Sequence, residues 1–235
     1  MPVYRIPRQH VFPDPELADP SGLLGVGPDV HPERVLLAYH MGIFPWYSEG
    51  QPVYWWSPDP RVVLFPGELT IPRSLGKRIR QRPYRITMDL AFEEVMRRCG
   101  EIARPDQPGT WITTEMLASY AALHRAGHAH SIEAWEGDTL VGGLYGVSVG
   151  ALFAGESMFA VRPDASKIAF VHFVRQFQAW GGALIDCQVE TDHLARFGAR
   201  GISRREYLRR LRECASKPAR EGPWEFDRDF VCDGR

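Results

Sequence analysis

Polar and apolar positions change rhythm several times along the chain, and each change predicts an element boundary. His31 to Met41 carries a helical pattern, with Pro32 suited to its first turn and Gly42 to its stop. Tyr84 to Asp89 alternates as a strand does, and Phe92 to Cys99 returns to the helical period before Gly100 ends it. Thr113 and Thr114 offer caps for a helix to Arg125, in which Met116, Leu117, Tyr120 and Leu123 share a face. His130 to Trp135, Thr139 to Val147 and Ala151 to Phe159 are predicted strands joined by Glu136-Gly137-Asp138 and Ser148-Val149-Gly150. An antiparallel meander results. Ser166 to Trp180 places Ile168, Val171, Phe173, Val174 and Phe177 at helical spacing, Gly181-Gly182 closes it, and Ala183 to Val189 is a short buried strand. Helices over about Asp192 to Phe197 and Ser203 to Cys214 follow.

Phe12 to Pro60 differs in character, being rich in Pro, Gly and aromatics, with Trp46, Trp55 and Trp56 close together. The expected organisation is a small N-terminal domain over 1–60 and a catalytic domain over 61–235, in an α/β (α+β) fold with a mixed, largely antiparallel sheet. Helix, helix, three antiparallel strands, helix, strand, helix is the element order of the acyl-CoA N-acetyltransferase (GNAT) superfamily. In that fold a Gly-rich loop after the meander holds the coenzyme's pyrophosphate on backbone amides. Here Arg162-Pro163-Asp164-Ala165-Ser166-Lys167 has no glycine and includes a proline, which has no N–H to donate. An acyl-CoA N-acetyltransferase is the alternative reading, favoured by element order and weakened at the coenzyme loop.

With 235 residues, 44% hydrophobic and 24% charged, the chain can bury a sizeable core. It has no apolar stretch of roughly 18 residues and no signal-like start, so a cytoplasmic protein is expected. The four cysteines have no C-x-x-C spacing and the histidines no H-E-x-x-H motif; His124, His128 and His130 meet only if a turn gathers them. Neither a metal nor a cofactor is expected. Net charge is -1, yet Arg73, Lys77, Arg78, Arg80, Arg82 and Arg85 stand between Ile71 and Arg85 with no acidic residue among them. That run, and Arg204, Arg205, Arg209, Arg210 and Arg212, are candidates to track a nucleic-acid backbone; a solvated helix face is the competing account for each. Trp46, Trp55, Trp56 and Trp111 are candidates to stack a base, against ordinary core packing.

Strand alternation turns Asp186 and Gln188 to one face and Cys187 to the other. A carboxylate in an apolar strand needs a partner, whether for structure or for chemistry. Glu156 and Met158 alternate likewise on the segment Gly155-Glu156-Ser157-Met158. Cys187, with His193 near in sequence, is a possible nucleophile, but its face is the core face, where free cysteines are inert.

Ordered motifs cover most of the chain: Gly42-Ile43-Phe44-Pro45-Trp46-Tyr47, Tyr54-Trp55-Trp56-Ser57-Pro58-Asp59-Pro60-Arg61, Thr110-Trp111-Ile112-Thr113, Val141-Gly142-Gly143-Leu144-Tyr145-Gly146, Gly155-Glu156-Ser157-Met158-Phe159 and Leu184-Ile185-Asp186-Cys187-Gln188. In these the chain resembles the bacterial leucyl/phenylalanyl-tRNA-protein transferases. It differs at Gly27-Pro28-Asp29-Val30, where that family reads G-G-D-L, and at Met158-Phe159-Ala160-Val161, where it reads M-F-S-R.

The resemblance implies a GNAT-type domain that uses aminoacyl-tRNA in place of acetyl-CoA. The implied activity moves Leu, Phe or Met to proteins beginning with Arg or Lys and marks them for degradation. It also implies roles: Asp186 and Gln188 catalytic, with Gln188 accepting a hydrogen bond from the attacking amine and Asp186 orienting it and helping with the proton. Glu156 meets the acceptor's cationic side chain, and Trp46 and Trp111 hold the terminal adenosine or the acceptor peptide. Leu144, Phe153, Met158, Phe170, Phe177 and Ile185 line the donor side-chain pocket, and Arg73, Lys77, Arg78, Arg80 and Arg82 bind tRNA.

Overall fold

The structure is a computed structural model that describes residues 3–102, 112–220 and 222–234. Tyr4–Arg5 (β1), Leu23–Val26 (β2), Phe44–Pro45 (β3) and Tyr54–Trp56 (β4) form a four-stranded sheet in the order β1-β2-β4-β3. Helix α1, Pro32–His40, connects β2 to β3. Proline at the first helical position suits its start, because an N–H there has no intrahelical partner. Arg61–Leu64 (β5), Arg85–Met88 (β6), Ala129–Glu136 (β7), Thr139–Val149 (β8), Leu152–Ala160 (β9), Leu184–Gln188 (β10) and Arg200–Ile202 (β11) build a second sheet, ordered β11-β5-β10-β9-β8-β7-β6.

The predicted meander is β7-β8-β9, and β10 returns parallel to β9 after helix α5, Ala165–Ala179. A helical crossover is what a parallel neighbour requires. All other pairings in this sheet are antiparallel, so the expected mixed, largely antiparallel sheet is present. Helices Arg73–Arg80 (α2), Phe92–Glu101 (α3), Thr114–Arg125 (α4), Asp192–Ala195 (α6) and Arg204–Ala215 (α7) complete the set. Thr113 caps α4 by accepting a bond from the Met116 amide, as the sequence predicts. Helix α3 runs through Gly100 instead of ending at it, and α6 stops at Ala195, short of the predicted Phe197.

Two apolar clusters flank the large sheet. One gathers Tyr39 of α1, Trp55 of β4, Val95 of α3, Tyr120 of α4 and Tyr207 of α7, so the N-terminal elements share a core with helices of the later chain. The other holds Phe170, Phe173 and Phe177 of α5 against Phe153 and Ile185 of the sheet, closed by Trp224 from the C-terminal segment.

The sheet loses its regularity at one place. Pairing between β9 and β10 runs from Leu152 with Leu184 to Ala154 with Asp186 and stops. Just beyond, β9 carries an extra residue against β8, since Gly146 faces Gly155 while Tyr145 faces Ser157. Glu156 is that bulged residue. Strand β10 bulges too, with Asp186 opposite Val63 but Gln188 opposite Val62. Gly146 is required at this crossing: a Cβ there would lie 2.2 Å from the Ala154 carbonyl oxygen and 2.5 Å from the Phe153 ring.

Candidate active site

A cavity of about 430 Å³ opens where β9 and β10 cease to pair. Its apolar wall is Leu144 of β8, Phe153 and Met158 of β9, Phe170 of α5 and Ile185 of β10, five of the six residues expected there. Phe177 is not among them. It lies seven residues beyond Phe170 on the same helix, about 10.5 Å along the axis, and packs on Phe173 and Phe153 behind the cavity at 5.3 and 6.3 Å between ring centres. Trp46 stands at the cavity with 41% of its surface exposed, tilted against Trp56, whose indole N–H donates to the Trp46 carbonyl at 2.9 Å. Trp111 lies outside the described residues.

Two carboxylates line the cavity, in opposite circumstances. Asp186 is fully buried and gripped by Arg61, whose Nε donates to Oδ1 at 2.8 Å and whose Nη2 donates to Oδ2 at 2.7 Å. The Tyr207 hydroxyl adds a bond at 2.7 Å to Oδ2. Arg61 is itself held between the Phe44 and Tyr207 rings, 4.7 and 4.6 Å from their centres, and donates to the Gly42 carbonyl at 3.3 Å. Asp186 was expected to orient Gln188, and its contact with that residue is through the main chain, Oδ1 accepting the Gln188 amide at 2.9 Å. Gln188 sits at φ +64, a left-handed conformation that costs a non-glycine residue about 1 to 3 kcal/mol unless its surroundings hold it. That amide bond is what holds it.

Glu156 has no guanidinium partner among the described residues and keeps partial exposure. Its Oε1 accepts from Gln188 Nε2 at 2.6 Å and its Oε2 from the Tyr120 hydroxyl at 3.4 Å; Tyr120 and Tyr39 share a hydrogen bond of 2.5 Å between hydroxyls. Burial lifts its pKa from 4.5 to about 7, the charge of Asp186 adds to the rise, and bonds from Tyr39 and Gln188 with the Arg61 charge restrain it. Burial likewise pushes the Tyr39 and Tyr120 phenols well above 10.0, so both stay protonated and able to donate. Because the carboxylate takes the Gln188 amide hydrogens, the Gln188 carbonyl oxygen is left as an acceptor.

Cys187 packs partly against the α5-side core, as its alternation predicts, but it also borders the cavity. Burial first, and the Asp186 charge second, push its thiol far above the usual range, so no thiolate is available as a nucleophile.

The basic residues divide. In α2, Leu75 and Ile79 face inward while Arg73, Lys77 and Arg80 are exposed, Arg78 is half-buried, and Arg82 stands exposed just past the end. Arg78 and Arg80 donate to neutral oxygens, Gln81 Oε1 at 3.4 Å and the Asp233 carbonyl at 3.5 Å. Three of the five α7 arginines are engaged within the protein, Arg204 buried on the Pro15 carbonyl at 2.8 Å and Arg209 and Arg210 paired with Glu206, whereas Arg205 and Arg212 are exposed. His124, His128 and His130 do not form a metal cluster either; His130 binds Asp89 at 2.7 Å and stacks on Trp224, while His124 stacks on Phe92.

Arg61, Tyr39, Tyr120 and Tyr207 were absent from the expected site. The available signal was Asp186 itself, a carboxylate in an apolar strand that had to have a cation somewhere.

The sequence model of the leucyl/phenylalanyl-tRNA protein transferase family matches residues 63–212, and that of its N-terminal domain matches residues 28–59. A leucyl/phenylalanyl-tRNA–protein transferase of Anaeromyxobacter sp. (strain Fw109-5) is 59% identical over 227 residues, 97% of each chain. That of Myxococcus xanthus (strain DK1622) is 55% identical over 226 residues, 95% of this chain and 97% of the relative. That of Thiobacillus denitrificans (strain ATCC 25259 / T1) is 53% identical over 218 residues, 92% of this chain and 95% of the relative.

Proposed function

The chain belongs to the leucyl/phenylalanyl-tRNA protein transferase family, and from that premise we propose that it joins Leu, Phe or Met from charged tRNA to acceptor proteins beginning with Arg or Lys. The product's new N-terminus marks it for N-degron-dependent degradation, and the enzyme works in the cytoplasm, where charged tRNA resides. What supports this reading is the cavity: an apolar wall around about 430 Å³, with room for a large side chain and more, ending on the Gln188–Glu156 pair at 2.6 Å. Methylene-level fit discriminates by only about 1 to 3 kcal/mol, which suits acceptance of several side chains unbranched at Cβ.

The donor ester is already activated, so the reaction needs an α-amine brought to its carbonyl carbon in neutral form. An N–C bond forms, the ester C–O bond breaks, and the leaving ribose oxygen takes up a proton. Acceptor α-amines have pKa values of about 7.7 to 8.0, and positioning supplies much of the rate. The Gln188 carbonyl accepts a hydrogen bond from the amine. Glu156, titrating near 7, is matched to receive the amine's proton and return it to the leaving oxygen. Asp186 is a positioning residue, committed to Arg61 and to the Gln188 main chain. Glu156, the carboxylate of the pair without a guanidinium, also supplies the negative charge that favours a cationic first residue. The exposed cations of α2 take the tRNA backbone.

The test is transfer from individually charged tRNAs to model peptides beginning with Arg, Lys, Asp or Glu. Leu and Phe passing to the Arg and Lys peptides is the expected result. Transfer from acetyl-CoA alone, persisting after ribonuclease treatment, would refute the reading.

A further inference from the structure

We propose that His10, His31 and Glu33 form a binding site for a divalent transition metal, of the type zinc occupies, on the N-terminal part of the chain. The His10 and His31 imidazoles stack with centres 5.2 Å apart and 29° between planes, and His10 Nδ1 lies 3.2 Å from a Glu33 carboxylate oxygen. One ligand atom from each of the three lies within 4.8 Å of the other two. Tetrahedral donors around zinc stand about 3.4 Å apart, given bonds of about 2.0 to 2.2 Å. Rotation of exposed side chains closes that gap. Two imidazoles and one carboxylate, with room for water, are a ligand set that zinc and its neighbours favour over magnesium or calcium.

The surroundings set this trio apart from a chance surface cluster. His31 is the N-cap of α1, where Ser, Thr, Asp or Asn would bond the free amides, yet its side chain makes no capping bond and turns to His10 instead. Arg34, fully buried, donates to the carbonyls of Pro7, Arg8 and Gln9 at 3.2, 2.7 and 3.0 Å, fixing the segment that ends in His10. Its Nε also binds Asp29 Oδ1 at 3.1 Å, and the same oxygen accepts the His31 amide at 3.0 Å. One guanidinium thus fixes the backbone of both histidines, which is the preorganisation a metal site needs. The positive end of the α1 dipole opposes a cation there, and the Glu33 carboxylate in the first turn offsets it. His10 and His31 stand 21 positions apart, so no spacing motif could announce them. A bound ion would staple the N-terminal segment to α1, whose last turn carries Tyr39 beside Tyr120.

The experiment uses the full chain after chelator treatment, titrated calorimetrically with zinc sulfate and spectroscopically with cobalt chloride. One equivalent of each should bind, and zinc should raise the Tm. His10→Ala and His31→Ser should each weaken binding at least about tenfold, the lower end of what disturbing even an outer partner of a ligand costs. His31→Ser restores a good N-cap and should keep or raise the metal-free Tm, so its loss of binding is not a loss of folding. Absence of saturable binding, affinity unchanged in both variants, or a thiolate-to-cobalt charge-transfer band that assigns the metal to cysteine would overturn the proposal.

Discussion

Replacing Glu156 by Gln should make the protein more stable at alkaline pH while impairing transfer. The folded state lifts this carboxyl from 4.5 to about 7, chiefly by burial. Each tenfold change in proton affinity is worth about 1.4 kcal/mol, so keeping the carboxylate ionised in the fold costs up to about 3 kcal/mol. The sign follows from linkage: the folded state binds the proton more tightly, so this group's contribution is fully present below 4.5 and is lost as pH rises through 7. Glutamine imitates the protonated carboxyl at every pH. The variant and the parent should therefore match near pH 4.5 and diverge through neutrality. At pH 8 the variant should lead by about 1 to 3 kcal/mol, the lower figure allowing for solvent screening of a partly exposed group. Urea unfolding followed by tryptophan fluorescence from pH 4.5 to 8 measures the gap. A gap that does not change with pH, or a variant less stable at pH 8, would refute the electrostatic reasoning. Gain in stability with loss of transfer is the expected signature of a group held in an unfavourable state for function.

Arg61→Ala and Asp186→Ala should each cost about 3 to 5 kcal/mol, since either strands a buried charge, and the double variant should lose less than their sum, as denaturation midpoints will report. Replacing Lys77, Arg78 and Arg80 together by Ala should weaken tRNA binding and reduce the slope of log affinity against log salt by about 2 to 3; an equal effect from replacing Arg209 and Arg210, which are paired with Glu206, would remove the special status of α2. Phe170→Ala should change the preference between Leu and Phe donors, whereas Phe177→Ala should cost about 3 to 5 kcal/mol of stability and leave that preference intact; the reverse pattern would mean the cavity is misassigned.

The long elements were legible because they are long enough to be recognised: α5 carries its apolar residues at helical spacing over fifteen residues, and β7 to β9 run for eight or more residues between clear turn signals. Strands β5 and β11 were not, having four and three residues. Strand β5 also begins with a buried arginine, which reads as a surface residue until its partner, 125 positions away, is known. Phe170 and Phe177 both turn inward on α5, but a helical period reports direction and not position along the axis, so it could not separate a cavity wall from the packing behind it. The N-terminal sheet escaped for a related reason. Its strands have two to four residues, and their partners are fixed by α1 and by the shared core.

The site's own geometry arises where strand alternation breaks. A regular β10 would carry Asp186 and Gln188 as equivalent neighbours on one face, and a regular β9 would pair Glu156 into the ladder. The bulges at Glu156 and Cys187 remove that equivalence. Asp186 is drawn down to Arg61 and Tyr207, while Gln188, turned through a left-handed residue, swings its amide across to Glu156. Two carboxylates close in space thereby acquire different chemistry. Asp186 has a guanidinium against both oxygens; among the described residues the donors to Glu156 are neutral, and the Asp186 charge raises its proton affinity further. Pushing paired carboxyls apart in this way is how a fold obtains a group that exchanges protons near neutrality. Under the proposed mechanism Asp186 acts as a positioning residue in two ways, through the Gln188 amide it holds and through the field it casts on Glu156.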